Sequence, residues 1–322
     1  MPNKRIHVYP DPAELTIVIR GAHERTEKLC AHLIRKQLPS EAQLTVIHFS
    51  PFSQAVKETF EIGMNADRPW LIAIDADIIP LDDAFVRIRE ICGKMAPNAF
   101  VATPLFLCQG IGGLATRGLH CYTEQYLQEA YSLIDTLEDN LRPESRIHDA
   151  MVARGYTREC YAKVLGLHEY EQSYKHLYLK AMLRCRKDEF RDQIQSNLES
   201  RASTNKDCQV MLWGFEDALA AVQSSGIHHP IEYDWNAAYP EFARRLQTMG
   251  WEEKPTLDIS SLHGYATEKI NAHDYLGDTQ TLPWIRELLD FDRCAKSALD
   301  YVNSTPKLET ETKHVQPVDG VA

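Results

Sequence analysis

Short apolar runs alternate with amphipathic segments over the first hundred residues of the chain. Runs of strand length, rich in β-branched residues, lie at 15–19, 44–49, 70–74 and 99–103. Between the first two runs, Leu29, Leu33 and Ile34 recur at helical spacing, and a second helical pattern extends from about 53 to 65. Strands that alternate with helices predict an α/β fold, Rossmann-like, with a mostly parallel sheet covered by helices on both faces.

The pattern changes after residue 121 and becomes predominantly helical. Helices are predicted at 122–140, 144–154, 170–200, 208–224, 236–249 and 283–302, with Pro or Gly between many of them. This change predicts a nucleotide-binding α/β core over 1–165 and a helix-rich region over 166–303 that completes the acceptor side. The tail, 304–322, has few apolar residues, so we expect it to be disordered.

Composition narrows the possible environments and partners. The formal net charge of −11 argues against a general attraction to nucleic acid, so a polyanionic ligand would need a cation or a local basic cluster. The eight cysteines form no C-x-x-C pair and are expected to be free thiols in a reducing compartment. The N-terminus lacks the apolar core of a secretory signal, and the sequence contains no run long enough for a transmembrane segment. We therefore expect a cytoplasmic protein, with a homo-oligomer left open.

Two carboxylates follow the apolar strand 70–74. Asp75 and Asp77, separated by Ala76, stand where that strand leaves the sheet, and the carboxyl ends of parallel strands form the ligand crevice of such folds. Carboxylate oxygens suit Mg²⁺ or Mn²⁺, which could bridge donor phosphates. The alternative is an ordinary turn, in which aspartate is common.

The polar residues after the first strand extend the predicted ligand crevice. Arg20, Gly21, His23, Glu24 and Arg25 would lie beside a nucleotide, the arginines near phosphate or ribose and Glu24 near ribose or base. The alternative is a solvated helix start with mixed charges. Farther along, a basic stripe on a predicted helix is also most simply a solvated face, although it could attract an anionic partner. Its members are Lys175, Lys180, Arg184, Arg186, Lys187 and Arg191.

Two segments together resemble the GT-A superfamily of glycosyltransferases. TIVIRGAHERT (16–26) is similar to the nucleotide-gripping strand and loop of that superfamily, and NADRPWLIAIDADIIP (65–80) is similar to its D-x-D region. The resemblance covers about the first half of the chain. It implies a GT-A fold and transfer of a sugar from a nucleotide-diphosphate sugar, with Asp75 and Asp77 holding Mn²⁺ or Mg²⁺.

The same resemblance implies a base and a later metal ligand. In RPESRIHDAMVARGYT (142–157), Glu144 stands eleven positions before Gly155-Tyr156, as the superfamily's acidic base does, although the usual Glu-Asp pair is absent. Asp149 and His148 are nearby competitors, and Glu144 could also be an ordinary acid in a first helical turn. His168 is the implied third metal ligand, with His176, His228 and His263 as alternatives and a purely structural histidine as the simplest reading.

The resulting hypothesis is a metal-dependent glycosyltransferase, inverting the anomeric centre by means of a carboxylate base. The acceptor would bear a hydroxyl and could be a saccharide, a lipid-linked glycan or another polymer. One alternative is a non-catalytic scaffold that binds nucleotide sugars. Another is a D-x-D phosphohydrolase, which is disfavoured because Ile79 stands where such enzymes usually carry Thr or Val.

Overall fold

The structure is a computed structural model of the 322-residue chain. It describes residues 10–136, 143–185, 191–225, 235–262, 264–273 and 285. Within these residues, no helix combines the length and the apolar character needed to cross a bilayer. The predicted helix at 283–302, apart from 285, and the predicted tail at 304–322 lie outside the described residues.

The described strands form a single mixed sheet. They are β1 Leu15–Gly21, β2 Gln43–His48, β3 Trp70–Asp75, β4 Ile78–Pro80, β5 Ala99–Cys108, β6 Gly113–Ala115, β7 Leu119–Thr123 and β8 Thr157–His168. The order is β2-β1-β3-β7-β5-β8-β4, and β6 pairs with β5. Among these, β1, β2, β3, β5 and β8 run in one direction, whereas β4, β6 and β7 run in the other. The predicted α/β fold with a mostly parallel sheet is confirmed.

Helices cover both faces of this sheet and continue beyond it. They are α1 Glu27–Lys36, α2 Phe52–Asn65, α3 Ala84–Cys92, α4 Leu127–Leu133, α5 Pro143–Ala153, α6 Tyr174–Cys185, α7 Arg191–Ala202, α8 Lys206–Ser225, α9 Trp235–Thr248 and α10 Tyr265–Asn271. Of the ten helices in the described part of the chain, six begin at or after Pro143, so the predicted helix-rich C-terminal half is also confirmed.

Successive side chains of the central strands point to opposite faces of the sheet, so an apolar core lies on each face. Ile17 and Ile19 of β1 pack on the face covered by α1 and α3, whereas Val18 packs on the opposite face with Phe60 of α2 and Met151 of α5. Every residue of β1 is buried, because helices cover both of its faces. This rigid centre holds the carboxyl ends of β1 and β3 in fixed register, with Arg20 opposite Asp75.

A separate apolar cluster joins α6, α7, α8 and α9, for which Leu177, Leu198, Phe215 and Phe242 are representative members. The helical region begins shortly after β8, and β8 itself runs through the predicted boundary at 165/166 to end at His168. The last residues of β8 therefore belong to the sheet and place the first residues of the helical region at its carboxyl edge.

Two predicted elements differ from the structure. The predicted helix at 122–140 is wrong at its start, because residues Leu119–Thr123 form β7 and α4 begins only at Leu127. β7 lies between β3 and β5, and pairing on both sides outweighs the local helical pattern. The predicted helix at 170–200 is observed as α6 and α7, with 186–190 between them outside the described residues.

Candidate metal and donor site

Arg20 links two carboxylates at the carboxyl end of β1. Its Nε donates to Oδ1 of Asp75 at 3.0 Å, and a terminal guanidinium nitrogen lies 2.7 Å from the same oxygen. The other terminal nitrogen donates to Oε1 of Glu144 at 2.5 Å. The Arg20 side chain is 2% exposed and that of Asp75 27%, so Asp75 faces solvent while Arg20 is enclosed behind it. Charged hydrogen bonds of this kind fix both side chains in place.

Glu144 lies at the start of α5 and accepts from several donors. The hydroxyl of Tyr122 donates to its Oε1 at 2.8 Å, and Nε2 of His120 lies 3.4 Å from its Oε2. Burial opposes ionisation of Glu144, but Arg20 and His120 outweigh burial and hold its pKa well below the usual range. Glu144 is therefore a buried, ionised carboxylate whose oxygens already have partners.

A hydrogen-bond chain that runs from Glu144 through Tyr122 determines the tautomer of His148. Tyr122 has one hydroxyl proton and gives it to Glu144, yet its oxygen also lies 3.0 Å from Nε2 of His148. His148 must therefore carry its proton on Nε2 and donate it to Tyr122. Burial, aided by His120, lowers the pKa of His148 well below its usual value, so the imidazole is neutral.

Asp77, His168 and Glu169 form a buried cluster at the same edge of the sheet. β4 begins directly after Asp77 and pairs antiparallel with the end of β8, so that Ile78 lies opposite His168. This pairing brings Nε2 of His168 to 3.3 Å from Oδ2 of Asp77. The backbone amide of Glu169 donates to the carbonyl of Asp77 at 3.0 Å, and Glu169 adopts a left-handed conformation with φ 68°.

Two basic residues of α6 compensate the charge of this cluster. Lys180 donates to Oδ2 of Asp77, and its Nζ lies 4.0 Å from Oε1 of Glu169, while Arg184 pairs with Glu169 directly. Burial opposes the charge on Lys180, but Asp77 and Glu169 raise its pKa above the usual value. Burial lowers the pKa of His168 to about 4, so this imidazole is neutral at pH 7.

The cluster fits a divalent cation. Asp77, His168 and Glu169 can each offer a ligand atom, and these atoms all lie within 4.8 Å of one another. Oδ1 of Asp77 and Oε2 of Glu169 are buried and have no hydrogen-bond partner among the described residues, which leaves two carboxylate oxygens with unused acceptor capacity. Carboxylate oxygens and one neutral imidazole suit Mn²⁺ or Mg²⁺. The structure thus brings together two of the three sequence-predicted ligands, Asp77 and His168.

The remaining ligand positions differ from the expected set. The Oδ1 oxygen of Asp75 is engaged by Arg20, and Glu169 joins Asp77 and His168 although the sequence prediction did not include it. The available signal was a second ligand-type side chain directly after His168. His176, an alternative ligand, lies half-buried on α6, whereas His228 and His263 lie outside the described residues.

The sequence-predicted donor residues occupy different environments. His23 is exposed, has φ 63° and stacks on His48 with ring centroids 4.6 Å apart. Glu24 is partly exposed, accepts from the amide of Ala22 at 2.5 Å and has a pKa raised by burial. Arg25 donates to the carbonyls of Pro255 and Glu171, both at 2.8 Å, so these donors tie it to the C-terminal half.

Gly21 and Ala76, the two small residues of the predicted donor site, lie at the carboxyl ends of β1 and β3. A Cβ at Gly21 would meet the carboxylate of Glu27, which lies 2.9 Å from Nε2 of His48. Ala76 is fully buried, and its carbonyl accepts from the hydroxyl of Thr26 at 2.9 Å. Gly21 and Ala76 therefore shape the backbone of the site and offer no charged group of their own.

The structure changes the interpretation of the basic stripe and adds two aromatic residues near Arg20. Lys180 and Arg184 face the carboxylate cluster, so at these positions the basic stripe is not a solvated face, whereas Arg186 and Lys187 lie outside the described residues.

Phe49 and Phe52, which the sequence analysis did not include in the site, follow β2 and are 44% and 41% exposed. The guanidinium of Arg20 lies 5.0 Å from the ring centroid of Phe52. Asp149, the competing base, is exposed on α5.

No family model matches the chain, and no curated protein matches it significantly. The chain is similar to the solved mannosyltransferase PcManGT from Pyrobaculum calidifontis in complex with GDP-Man and Mn²⁺, at 11% identity and TM-score 0.40 over 74% of this chain and 83% of that one. It is also similar to a glycosyltransferase involved in the glycosylation of the major capsid of PBCV-1, at 14% identity and TM-score 0.34 over 47% and 81%.

A further similar structure is a putative glucose-1-phosphate thymidylyltransferase from Bacillus anthracis, at 11% identity and TM-score 0.32 over 45% of this chain and 85% of that one. The α/β architecture of the chain is evident from its own sheet and helices, and the three similar structures named here are sugar and nucleotidyl transferases. At these identities and TM-scores, the matches say nothing of the substrate of this chain.

Proposed function

We propose that the chain is a metal-dependent glycosyltransferase that moves a sugar from a nucleotide-diphosphate sugar to a hydroxyl acceptor. The observation that carries this proposal is the buried cluster of Asp77, His168 and Glu169 at the carboxyl end of the strands. A crevice at this edge is where an α/β sheet binds a nucleotide. The proximity of Asp75 and Glu144 through Arg20 adds the further carboxylates that such a reaction needs.

In this proposal Asp77 and His168 hold the ion, with Glu169 beside them and Asp75 at the solvent side. When bound, the ion would neutralise the charge that develops on the departing diphosphate. The neutral state of His168 leaves a nitrogen lone pair for coordination, and the ionised state of Asp77 and Glu169 supplies negative charge. The chain itself thus provides hard ligands in a partly water-excluded pocket.

The donor would lie along the loops that follow β1 and β2. Phe49 and Phe52 are partly exposed aromatic side chains on which a nucleobase could stack, and Arg20, which lies over the Phe52 ring, also holds Asp75. His23 and Glu24 remain the proposed polar contacts on the nucleotide side. Arg25 would act through its bonds to Glu171 and Pro255, by holding the β1–α1 loop against the C-terminal half.

Glu144 remains the proposed general base, with Asp149 as its competitor. Glu144 lies on the Asp75 side of the site, whereas Asp149 projects to solvent from the same helix. Because Arg20 and Tyr122 both donate to Oε1 of Glu144, the less engaged Oε2 is the oxygen that would accept the acceptor proton. In the proposed single displacement, the deprotonated hydroxyl attacks the anomeric carbon from the side opposite the departing diphosphate, which inverts that centre.

A panel of nucleotide sugars tests the proposed function. UDP-, GDP-, CMP- and dTDP-sugars are added with and without Mn²⁺, and the melting temperature is measured for the wild-type protein, Asp77→Asn and Asp149→Asn. A ligand that binds the folded state raises the melting temperature. We expect one donor class to stabilise the wild type and Asp149→Asn in the presence of Mn²⁺, but not Asp77→Asn.

The same protein samples separate the alternatives. Slow hydrolysis of the stabilising donor, followed by NMR, indicates a transferase, whereas binding without hydrolysis or transfer indicates a scaffold. Hydrolysis of simple phosphate monoesters instead of nucleotide sugars would favour the phosphohydrolase. Failure of every donor to stabilise the wild type, with either metal condition, would overturn the proposed function.

A further inference from the structure

Lys180 occupies the position of a counter-ion inside the candidate metal cluster. Its ammonium donates to Oδ2 of Asp77 and lies 4.0 Å from Oε1 of Glu169. These are two of the three residues that could hold a divalent ion. The carboxylate of Asp77 is 1% exposed, so without a nearby cation it would be a buried, uncompensated charge.

The charges of the cluster balance without a metal. Arg184 pairs with and compensates Glu169, and Lys180 pairs with and compensates Asp77. A divalent cation that bound to the same carboxylates would add two positive charges next to the ammonium. Because like charges in a weakly solvated site repel strongly, the ion and the ammonium cannot both remain on Oδ2 of Asp77.

The side chain of Lys180 is able to move away from this position. The side chain of Lys180, on α6, is 29% exposed and so partly reaches solvent, whereas the partner carboxylates are 1% exposed. A lysine ammonium lies at the end of a flexible four-carbon chain and makes point contacts of no fixed orientation. Arg184 is different, because its guanidinium is 7% exposed and is enclosed beside Gly110.

We propose that Lys180 and the divalent cation exchange on Asp77. Lys180 neutralises Asp77 in the metal-free protein and gives up Oδ2 when the ion binds. The released ammonium then contacts the phosphate group that the ion carries, a second step that rests on the proposed function. Lys180 is thus a built-in competitor of the metal and a ligand for a diphosphate.

The first step is tested with Mn²⁺ alone, by EPR titration of the free ion in the absence of any nucleotide. The variants are Lys180→Gln and, as the matched control, Lys175→Gln, which changes an exposed lysine of the same helix. We expect Lys180→Gln to bind Mn²⁺ at least tenfold more tightly than the wild type, because the competing cation is gone. Lys175→Gln is expected to bind as the wild type does. Unchanged or weaker binding by Lys180→Gln would overturn the exchange.

Unfolding in urea provides a readout that does not require metal binding to be measured directly. In EDTA, Lys180→Gln should unfold at lower urea than the wild type, and Mn²⁺ should restore more of its stability than of the wild type's. In an Asp77→Asn background the lysine substitution should cost much less. If Lys180→Gln does not fold in EDTA, Lys180→Arg provides the comparison, since a retained positive charge should keep Mn²⁺ affinity near that of the wild type. Tenfold tighter Mn²⁺ binding by Lys180→Arg would contradict the proposal.

The second step is tested with inorganic pyrophosphate at saturating Mn²⁺, by calorimetry. Lys180→Gln is expected to bind pyrophosphate about tenfold more weakly, although it binds Mn²⁺ more tightly. Unchanged pyrophosphate affinity would overturn the phosphate contact. A wild-type protein that binds Mn²⁺ and pyrophosphate but no nucleotide sugar would overturn the proposed function and leave the exchange intact.

Discussion

Nε2 of His168 lies 3.3 Å from Oδ2 of Asp77, and the two residues are held there by the pairing of β4 with the end of β8. The contact depends on backbone register, since Ile78, next to Asp77, lies directly opposite His168. Gly166 and Pro80 form the last pair of the same ladder. The geometry of the candidate metal site is therefore set by the sheet and not by flexible side chains alone.

Replacing His168 tests its proposed role as a metal ligand. His168→Ala is expected to weaken Mn²⁺ binding about 10- to 100-fold and to slow turnover at least tenfold, as is usual for the loss of a ligand or of its immediate support. His176→Ala, on α6, is the matched control and should leave Mn²⁺ affinity unchanged. Equal effects of the two substitutions in an EPR titration would contradict the assignment of His168.

Replacing Glu144 tests the proposed base. Glu144→Gln keeps the shape but removes the basicity, so the transfer rate should fall by about 10² to 10⁴ while Mn²⁺ affinity persists. Asp149→Asn should have a much smaller effect, and the product anomer, read by proton NMR, should be inverted. A larger defect in Asp149→Asn, or a retained anomer, would move the base away from Glu144.

Tyr122 offers a way to change the basicity of Glu144 without replacing it. The hydroxyl of Tyr122 donates to Glu144 at 2.8 Å and so stabilises the ionised carboxylate. In Tyr122→Phe the pKa of Glu144 should rise, and the acidic limb of the pH–rate profile should move to higher pH. An unmoved acidic limb, in a variant that transfers measurably, would exclude Glu144 as the group that titrates.

The buried state of His168 predicts a pH-dependent stability in the metal-free protein. Burial lowers the pKa of His168 to about 4. As the pH falls below 6.5, His168 is therefore protonated in the unfolded chain while it stays neutral in the folded one. The contribution is fully present above pH 6.5 and is lost as the pH falls toward 4. Between pH 7 and pH 5 in EDTA, the wild type should lose about 2 kcal/mol more than His168→Gln in urea unfolding. Equal losses would show that His168 does not titrate in this way.

Gly166 should affect the candidate metal site without contributing a ligand to it. A Cβ at this position would meet the carbonyl oxygen of Ile79 and come within 2.9 Å of Cα of Pro80, both backbone atoms of β4. Gly166→Ala should therefore separate β4 from β8 and weaken Mn²⁺ binding as well as stability. Gly155→Ala, where φ is 94° and a Cβ would meet no atom within 4 Å, should lower stability alone. Unchanged Mn²⁺ affinity in Gly166→Ala would show that the ladder does not set the site.

The sequence pattern predicts features that depend on neighbouring residues, but it does not predict contacts between distant segments. The apolar strand before Asp75 and Asp77 is visible in sequence, and the α/β order places its carboxyl end at the crevice. Lys180 was part of a basic stripe with no visible partner, because only the packing of α6 against the sheet edge brings it to Asp77. The sequence analysis missed β7 for a related reason. β7 pairs with β3 and β5, and these pairings join residues that are far apart in sequence, such as Trp70 and Thr123.

The termination of β8 at His168 has a consequence for dividing the chain. A fragment that ended at residue 165 would keep Arg20, Asp75 and Asp77, but it would lose the imidazole, the second buried carboxylate and the lysine that surround Asp77. Arg25 would also lose its acceptors at Glu171 and Pro255. The segments before and after residue 165 therefore both supply side chains to the cluster around Asp77, and neither could be exchanged for a foreign module without rebuilding that cluster.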